Sequence, residues 1–125
     1  MMNRSSGILL HITSLPSPYG VGNLGQAAYD FVDFLKKAGQ TYWQILPICP
    51  PGYGDSPYQA FSTFAGNPYL IDPDQLVEAG WLTPAELGAQ SWGENPEHVD
   101  FALLYNTRLP LLRRAFARFL QAVPA

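Results

Sequence analysis

Asn23-Leu-Gly-Gln-Ala-Ala-Tyr-Asp-Phe-Val-Asp-Phe-Leu-Lys-Lys-Ala-Gly-Gln-Thr-Tyr-Trp-Gln-Ile-Leu46 holds a helix and the strand that follows it in one run. Leu24, Ala27, Ala28, Phe31, Phe34, Leu35 and Ala38 fall on one helical face, with Asp30, Asp33, Lys36 and Lys37 elsewhere. Asn23 stands where an N-cap belongs, with Gln26 three positions on, and Gly39 is a natural stop. The pattern predicts one amphipathic helix of about 15 residues. Thr41 to Leu46 is then β-branched and aromatic over a strand's length and ends at Pro47 and Pro50. Upstream, Gly7-Ile-Leu-Leu-His-Ile12 is apolar without alternation, as expected of a parallel strand buried on both faces. Strand, helix and strand in this order predict a parallel crossover and an α/β fold.

Downstream, Gly52-Tyr-Gly-Asp-Ser-Pro-Tyr-Gln-Ala-Phe-Ser-Thr-Phe-Ala-Gly-Asn-Pro68 follows the second strand at its carboxyl end, where parallel α/β folds gather their sites. Tyr69 to Ile71 reads as a short extended piece and Asp74 to Ala79 as a short helix stopped by Gly80. Trp81 opens an insertion, and Thr83-Pro-Ala-Glu86 has the form of a capping box with proline at the first helical position. Ser91 to Asp100 reads as irregular. A last helix is predicted with Tyr105, Leu109, Leu112, Phe116, Phe119 and Leu120 on its apolar face, opposite Arg113, Arg114 and Arg118. Pro110 leaves two readings open: a start near Thr107, or an earlier start with a kink.

The 125 residues are 47% hydrophobic, enough for one domain with a real core, while 11 Gly and 12 Pro favour long shaped loops. A net charge of −3 with seven Lys and Arg offers no basic surface for nucleic acid. Cys49 is the lone cysteine, which leaves no internal disulfide and suits a reducing cytoplasm. Ile8 to Leu10 is too short an apolar run for a signal sequence or a membrane span, so a cytoplasmic protein without a membrane partner is expected.

Gly20-Val-Gly-Asn-Leu-Gly25 matches the G-x-G-x-x-G pattern. Thr13 to Tyr19 separates it from the first strand, however, and no acidic residue ends the second, so it reads as a flexible loop and a helix start instead. His11 reads as a satisfied core histidine, because His98 lies far away and no metal set can be assembled from the two. Gln44 either lines a barrel interior or satisfies a neighbour. Tyr53 and Tyr58 lie among Gly and Pro rather than at core spacing. Their rings suit the apolar face of a pyranose, with Ser56 and Gln59 to meet its hydroxyls. Asp55, beside Ser56-Pro57, reads first as a turn former, since glycosidic chemistry normally needs a second carboxylate.

At these residues the chain resembles the 4-α-glucanotransferases called amylomaltases or disproportionating enzymes, relatives of the α-amylases. The resemblance lies in Arg4-Ser-Ser-Gly-Ile-Leu-Leu-His11, Thr13-Ser-Leu-Pro16, Pro18-Tyr-Gly20, Tyr42-Trp-Gln44, Gly52-Tyr-Gly-Asp-Ser-Pro-Tyr-Gln59 and Phe64-Ala-Gly-Asn-Pro68. It covers nearly all of 4–80 and, more loosely, the rest. Ile12 in place of a proline, Ser17 of a glycine and Asn23 of an aspartate depart from the family pattern.

The resemblance implies a (β/α)8 TIM barrel that moves α-1,4-glucan segments between maltooligosaccharides through a covalent glucosyl-enzyme intermediate, without a cofactor. It implies that Tyr58 stacks under the sugar at the cleavage point with Ser56 nearby, and that Tyr53 touches glucan farther out; Gln59 and Asp55 complete the expected substrate-binding set. The family's nucleophile, acid/base and stabilising carboxylates correspond to no position here. A barrel of this kind takes about 250 residues. The chain is therefore expected to be an amino-terminal piece, inactive alone, whose exposed edges await the missing carboxyl-terminal part of the barrel. In that expectation 1–72 forms the first two β/α units with the substrate loop, and 73–125 a helical insertion. The rival reading is a non-catalytic maltooligosaccharide-binding or interaction module.

Overall fold

The computed structural model describes residues 4–52 and 54–123. Strand β1 (Gly7–Leu9) pairs in parallel with β2 (Tyr42–Gln44), in the register Gly7↔Tyr42, Ile8↔Trp43 and Leu9↔Gln44. Helix α1 (Gln26–Lys37) makes the crossover, as the strand-helix-strand pattern requires. Thr41 N to Ser6 O at 2.9 Å and Leu10 N to Gln44 O at 3.0 Å extend the ladder at its two ends. Gly39, at φ 70°, ends α1 in the left-handed region where glycine carries no penalty.

Both strands are shorter and wetter than the apolar runs imply. All of Gly7, Ile8 and Leu9 are exposed, as are Tyr42 and Gln44, and only Trp43 is half-buried. The reason is coverage: α1 lies over one face of the pair, and among the described residues nothing comparable covers the other. On the covered side Ile12, Leu15, Ala28 and Leu70 form a buried cluster, with Leu10, Ala27, Phe31 and Trp43 packed against it. The Phe31 ring meets Trp43 edge-on at 5.0 Å, and Trp43 Nε1 donates to Leu10 O at 2.7 Å. The buried stripe is therefore narrower than the predicted one, since Phe34 faces solvent and Leu24, also exposed, lies before the helix.

Asn23 does not cap α1. The cap position is Gly25, and buried Asn23 instead turns its Oδ1 onto Gly25 N at 2.9 Å, while the Gln26 side chain donates to Asp30. Tyr69 to Ile71 is not extended either: Pro68–Leu70 is a 3₁₀ turn capped by Asn67, whose side chain accepts from Tyr69 N. Asn-Pro at its start gives both the cap and a fixed φ, which outweighs the β-like composition.

Helix α2 (Pro73–Glu78) starts at the Asp72 cap and ends before Gly80, and α3 (Pro84–Gly88) carries the full Thr83/Glu86 capping box. Asp100 caps a long helix α4 (Phe101–Ala122), its Oδ1 accepting from Leu103 N at 2.9 Å. The earlier of the two starts is thus the real one, with Pro110 inside the helix. Pro110 and Asn106 are both exposed, so solvent can take the Asn106 carbonyl that proline leaves without a donor.

The buried face of α4 is Leu104, Arg108, Leu111 and Ala115, not the stripe from Tyr105 to Leu120. Tyr105, Phe116, Phe119 and Leu120 are exposed. Leu111 and Ala115 pack with Leu82 and Leu87, while Leu104 joins Val21 and Tyr69. Among the described residues no helix is long and apolar enough to cross a membrane.

Candidate functional site

The segment 13–22 folds back from the carboxyl end of β1, and its glycines are needed for close approach rather than for flexibility. Gly20 sits at φ 75° against the Trp92 carbonyl, and a Cβ there would also lie 2.9 Å from Leu104 Cδ2. A Cβ on Gly22 would meet Leu15 O at 2.7 Å, and one on Gly25 would meet Asp72 Oδ2 at 2.6 Å. Val21, Gly22, Asn23 and Gly25 are all buried. The G-x-G-x-x-G run is thus a packed corner, and the amino end of α1 already faces the Asp72 carboxylate, which leaves no place for a phosphate there.

Beside this corner opens a cleft of about 890 Å³. Its walls are the 13–22 segment, residues of the loop after β2 (Leu46, Pro47, Cys49, Pro51, Asp55 and Pro57), Asn67 with Tyr69, and the run from Trp92 to Phe101. His11 lies at its edge, half-buried, with Nδ1 accepting from Leu46 N at 3.3 Å; burial lowers its pKa, so the ring is held neutral with its proton on Nε2. It is a satisfied histidine, as its apolar setting implies. His98, far from it in the sequence, lines the same cleft, as do Glu94 and Glu97 of the irregular segment. Among the described residues no group of three His, Cys, Asp or Glu is placed to hold a metal ion.

The loop after β2 is a tight reverse turn. Gly52 N donates to Gln59 O at 2.6 Å, Gln59 N to Ser56 O at 3.0 Å, and Pro51 bridges antiparallel to Ala60. Ser56 Oγ accepts from Tyr58 N at 3.3 Å, so this hydroxyl shapes the turn. Asp55 stands at φ 56°, a left-handed conformation that aspartate tolerates better than most residues, and it lines the cleft. Tyr58 is 72% exposed, so its ring does not fill a gap beneath the loop. Tyr53 lies outside the described residues. The turn therefore brings Asp55, Ser56, Tyr58 and Gln59 together, but of these four only Asp55 lines the large cleft. Gln44 is exposed, and its main-chain oxygen, not its side chain, meets Leu10 N.

The residue that sequence reasoning missed is Arg108, 1% exposed. Its Nη1 donates to Tyr19 O at 3.2 Å and its Nη2 to Tyr69 O at 3.0 Å and Ile71 O at 2.5 Å; Nε has no partner among the described residues. Burial lowers its pKa to about 10, against the opposing pull of Asp72, so the guanidinium stays charged at neutral pH. A charged residue three and four positions from Leu111 and Leu104 was the available signal, hidden because arginine on a helix is ordinarily solvated. Beside it the Tyr19 hydroxyl donates to Asp74, and the Tyr19 ring meets Trp92 edge-on at 5.3 Å.

A family model described as 4-alpha-glucanotransferase matches residues 10–125. The 4-alpha-glucanotransferase of Streptococcus pneumoniae serotype 4 is 53% identical over 121 residues, covering 97% of this chain and 24% of that protein. The Thermus thermophilus 4-alpha-glucanotransferase is 54% identical over 116 residues, covering 93% of this chain and 22% of that protein. Among solved structures, an amylomaltase from Streptococcus agalactiae in complex with acarbose superposes with a TM-score of 0.91 at 48% identity, over 95% of this chain and 24% of that one. The chain thus spans about a quarter of the length of the relatives it matches.

Proposed function

This chain belongs to the 4-alpha-glucanotransferase family, and from that membership we propose that it contributes the donor-sugar platform of an enzyme that moves α-1,4-glucan segments between maltooligosaccharides with retention at the anomeric carbon. In this reading 1–72 is the amino-terminal part of a (β/α)8 barrel with its substrate loop, and 73–125 begins an inserted helical subdomain. The carboxylates that cleave and re-form the glycosidic bond come from further strands, and the protein works in the cytoplasm without a cofactor.

The observation that carries the reading is the exposed Tyr58 ring on a turn whose backbone is tied by its own hydrogen bonds. On a backbone tied this way the ring can lie under the apolar face of a glucose unit with little main-chain entropy left to lose, while Ser56, Gln59 and Asp55 are close in the chain to meet hydroxyls. Tyr53 is proposed as an outer glucan contact on the strength of the family motif. The acarbose bound to the Streptococcus agalactiae amylomaltase supports an oligosaccharide as ligand.

Calorimetry with maltoheptaose tests the platform. Saturable binding by the chain, abolished by Tyr58→Ala, is the expected result, and no binding, or binding indifferent to Tyr58→Ala, overturns it. Incubation with maltotriose is expected to release no glucose. Disproportionation by these 125 residues would put the catalytic carboxylates within them and overturn the division of labour.

A further inference from the structure

Three of the cleft's four walls meet at a buried charge. The 13–22 segment is held at Tyr19 O, the 3₁₀ turn and its exit at Tyr69 O and Ile71 O, and α4 supplies the guanidinium that binds all three carbonyls. The first turn of α4 carries Phe101, which lines the cleft and meets the Tyr69 ring edge-on at 5.7 Å. Leu104, one turn before Arg108, is fully buried and lies close to Gly20 on the same wall. The remaining wall, the substrate turn, is outside this clamp.

We propose that Arg108 is a positioning residue for oligosaccharide binding, fixing the spacing between the 13–22 wall, the Tyr69 wall and the start of α4 so that the cleft matches an extended glucan beside the Tyr58 platform. The proposal rests on the glucan reading above. The chemistry favours a role in shape over simple stabilisation. A buried guanidinium with one nitrogen left without a partner among the described residues is a poor way to fill a core, and apolar residues of the same volume commonly stabilise as well. What an arginine adds is a planar fork whose donors set three backbone segments at fixed angles, which neither an apolar side chain nor a lysine point charge reproduces.

The test uses the whole chain with Arg108→Lys and Arg108→Met. Lysine keeps the charge and reaches fewer carbonyls, and so guards against loss of fold in the methionine variant, where three carbonyls lose their donor. Maltoheptaose affinity is measured by calorimetry, and hydrogen exchange is followed at Gly22, Leu24 and Ile71, whose amides bond within the clamped walls. With Arg108→Lys we expect a native-like circular dichroism spectrum, affinity weakened about tenfold, and faster exchange at those amides with α1 unchanged. A folded Arg108→Lys with wild-type affinity and wild-type exchange at the walls overturns the proposal. A lowered melting temperature with both unchanged also overturns it, because Arg108 would then only stabilise. If the wild type itself binds no maltoheptaose, the glucan reading fails, and with it the role of Arg108 in binding; wall exchange then reports only whether the clamp exists.

Discussion

Glu86 receives both terminal nitrogens of Arg118, Nη1 on Oε2 at 2.8 Å and Nη2 on Oε1 at 2.9 Å, which ties the first turn of α3 to the last third of α4. Arg114 Nη1 adds a bond to Oε1 at 2.9 Å, and Thr83 N reaches Oε2 at 3.0 Å. The carboxylate thus closes a capping box and an interhelical fork at once, adding to the packing of Leu87 on Leu111 and Ala115 that seats the five-residue α3.

These partners hold the Glu86 pKa well below its ordinary 4.5, the Arg118 and Arg114 hydrogen bonds first. A depressed folded value means that the contribution to stability is complete above the unfolded value and is lost as pH falls toward the folded one. Glu86→Gln is therefore expected to lower the melting temperature at pH 7, and the gap from wild type should narrow steadily below about pH 4.5. Salt should shrink the gap too, because the Arg118 side chain is 40% exposed. Thermal melts across pH check this, and equal melting temperatures at pH 7 would mean the fork does not stabilise.

The two candidate faces of α4 make opposite mutational predictions. Leu104 is 0% exposed and Phe116 59%, so Leu104→Ala is expected to cost about 3 kcal/mol and Phe116→Ala no more than about 0.5 kcal/mol. Urea unfolding of the two variants measures the difference. The reverse order would restore the Tyr105 to Leu120 stripe as the packing face.

That reversal shows where the sequence was legible. Local chemistry read correctly at Gly39 and Gly80 at helix ends, at Thr83-Pro84 with Glu86 at a helix start, and in the parallel crossover from two apolar runs around α1; it was misread at Asn67-Pro68, where cap and proline override a β-like composition. It failed where a tertiary partner decides. Arg108 lies inside the buried stripe of α4, and its solution to burial, three carbonyls from two distant segments, cannot be read from helical periodicity. Gly20, Gly22 and Gly25 fit a phosphate motif by spacing, but the close contacts that require them come from Trp92, Leu15 and Asp72. In the turn after β2 the openness of Tyr58 was legible and the geometry was not: Tyr58 is open to solvent, whereas Ser56 bonds to its own turn.

Substitution at Asp55 separates the turn shape its backbone sets from the glucan contact proposed for its side chain. Its backbone at φ 56° suits Asn or Asp and strains Ala. Asp55→Asn is expected to leave stability unchanged and weaken maltoheptaose binding about fivefold, through loss of a charged acceptor in the cleft. Asp55→Ala should weaken binding likewise and also cost about 1 kcal/mol of stability. Calorimetry and urea unfolding on both variants check the division. Wild-type affinity in Asp55→Asn would confine Asp55 to shaping the turn.

Tyr19 gives a signal at the alkaline end. Its phenol is pushed up from 10.0 to about 12, by burial first and then by the hydrogen bond and charge of Asp74, with Arg108 opposing. A folded value above the unfolded one means that the group's contribution is fully present below about pH 10 and is lost as pH rises toward about 12. The stability difference between wild type and Tyr19→Phe should therefore be constant up to pH 10 and shrink above it. The chain has seven tyrosines, so the tyrosinate absorbance should rise in steps, with the last step removed by Tyr19→Phe. Asp74→Asn should move that step only part of the way down, because burial, the larger cause, remains. A last step that persists in Tyr19→Phe would assign it to another tyrosine and show that the Tyr19–Asp74 bond does not hold the phenol protonated.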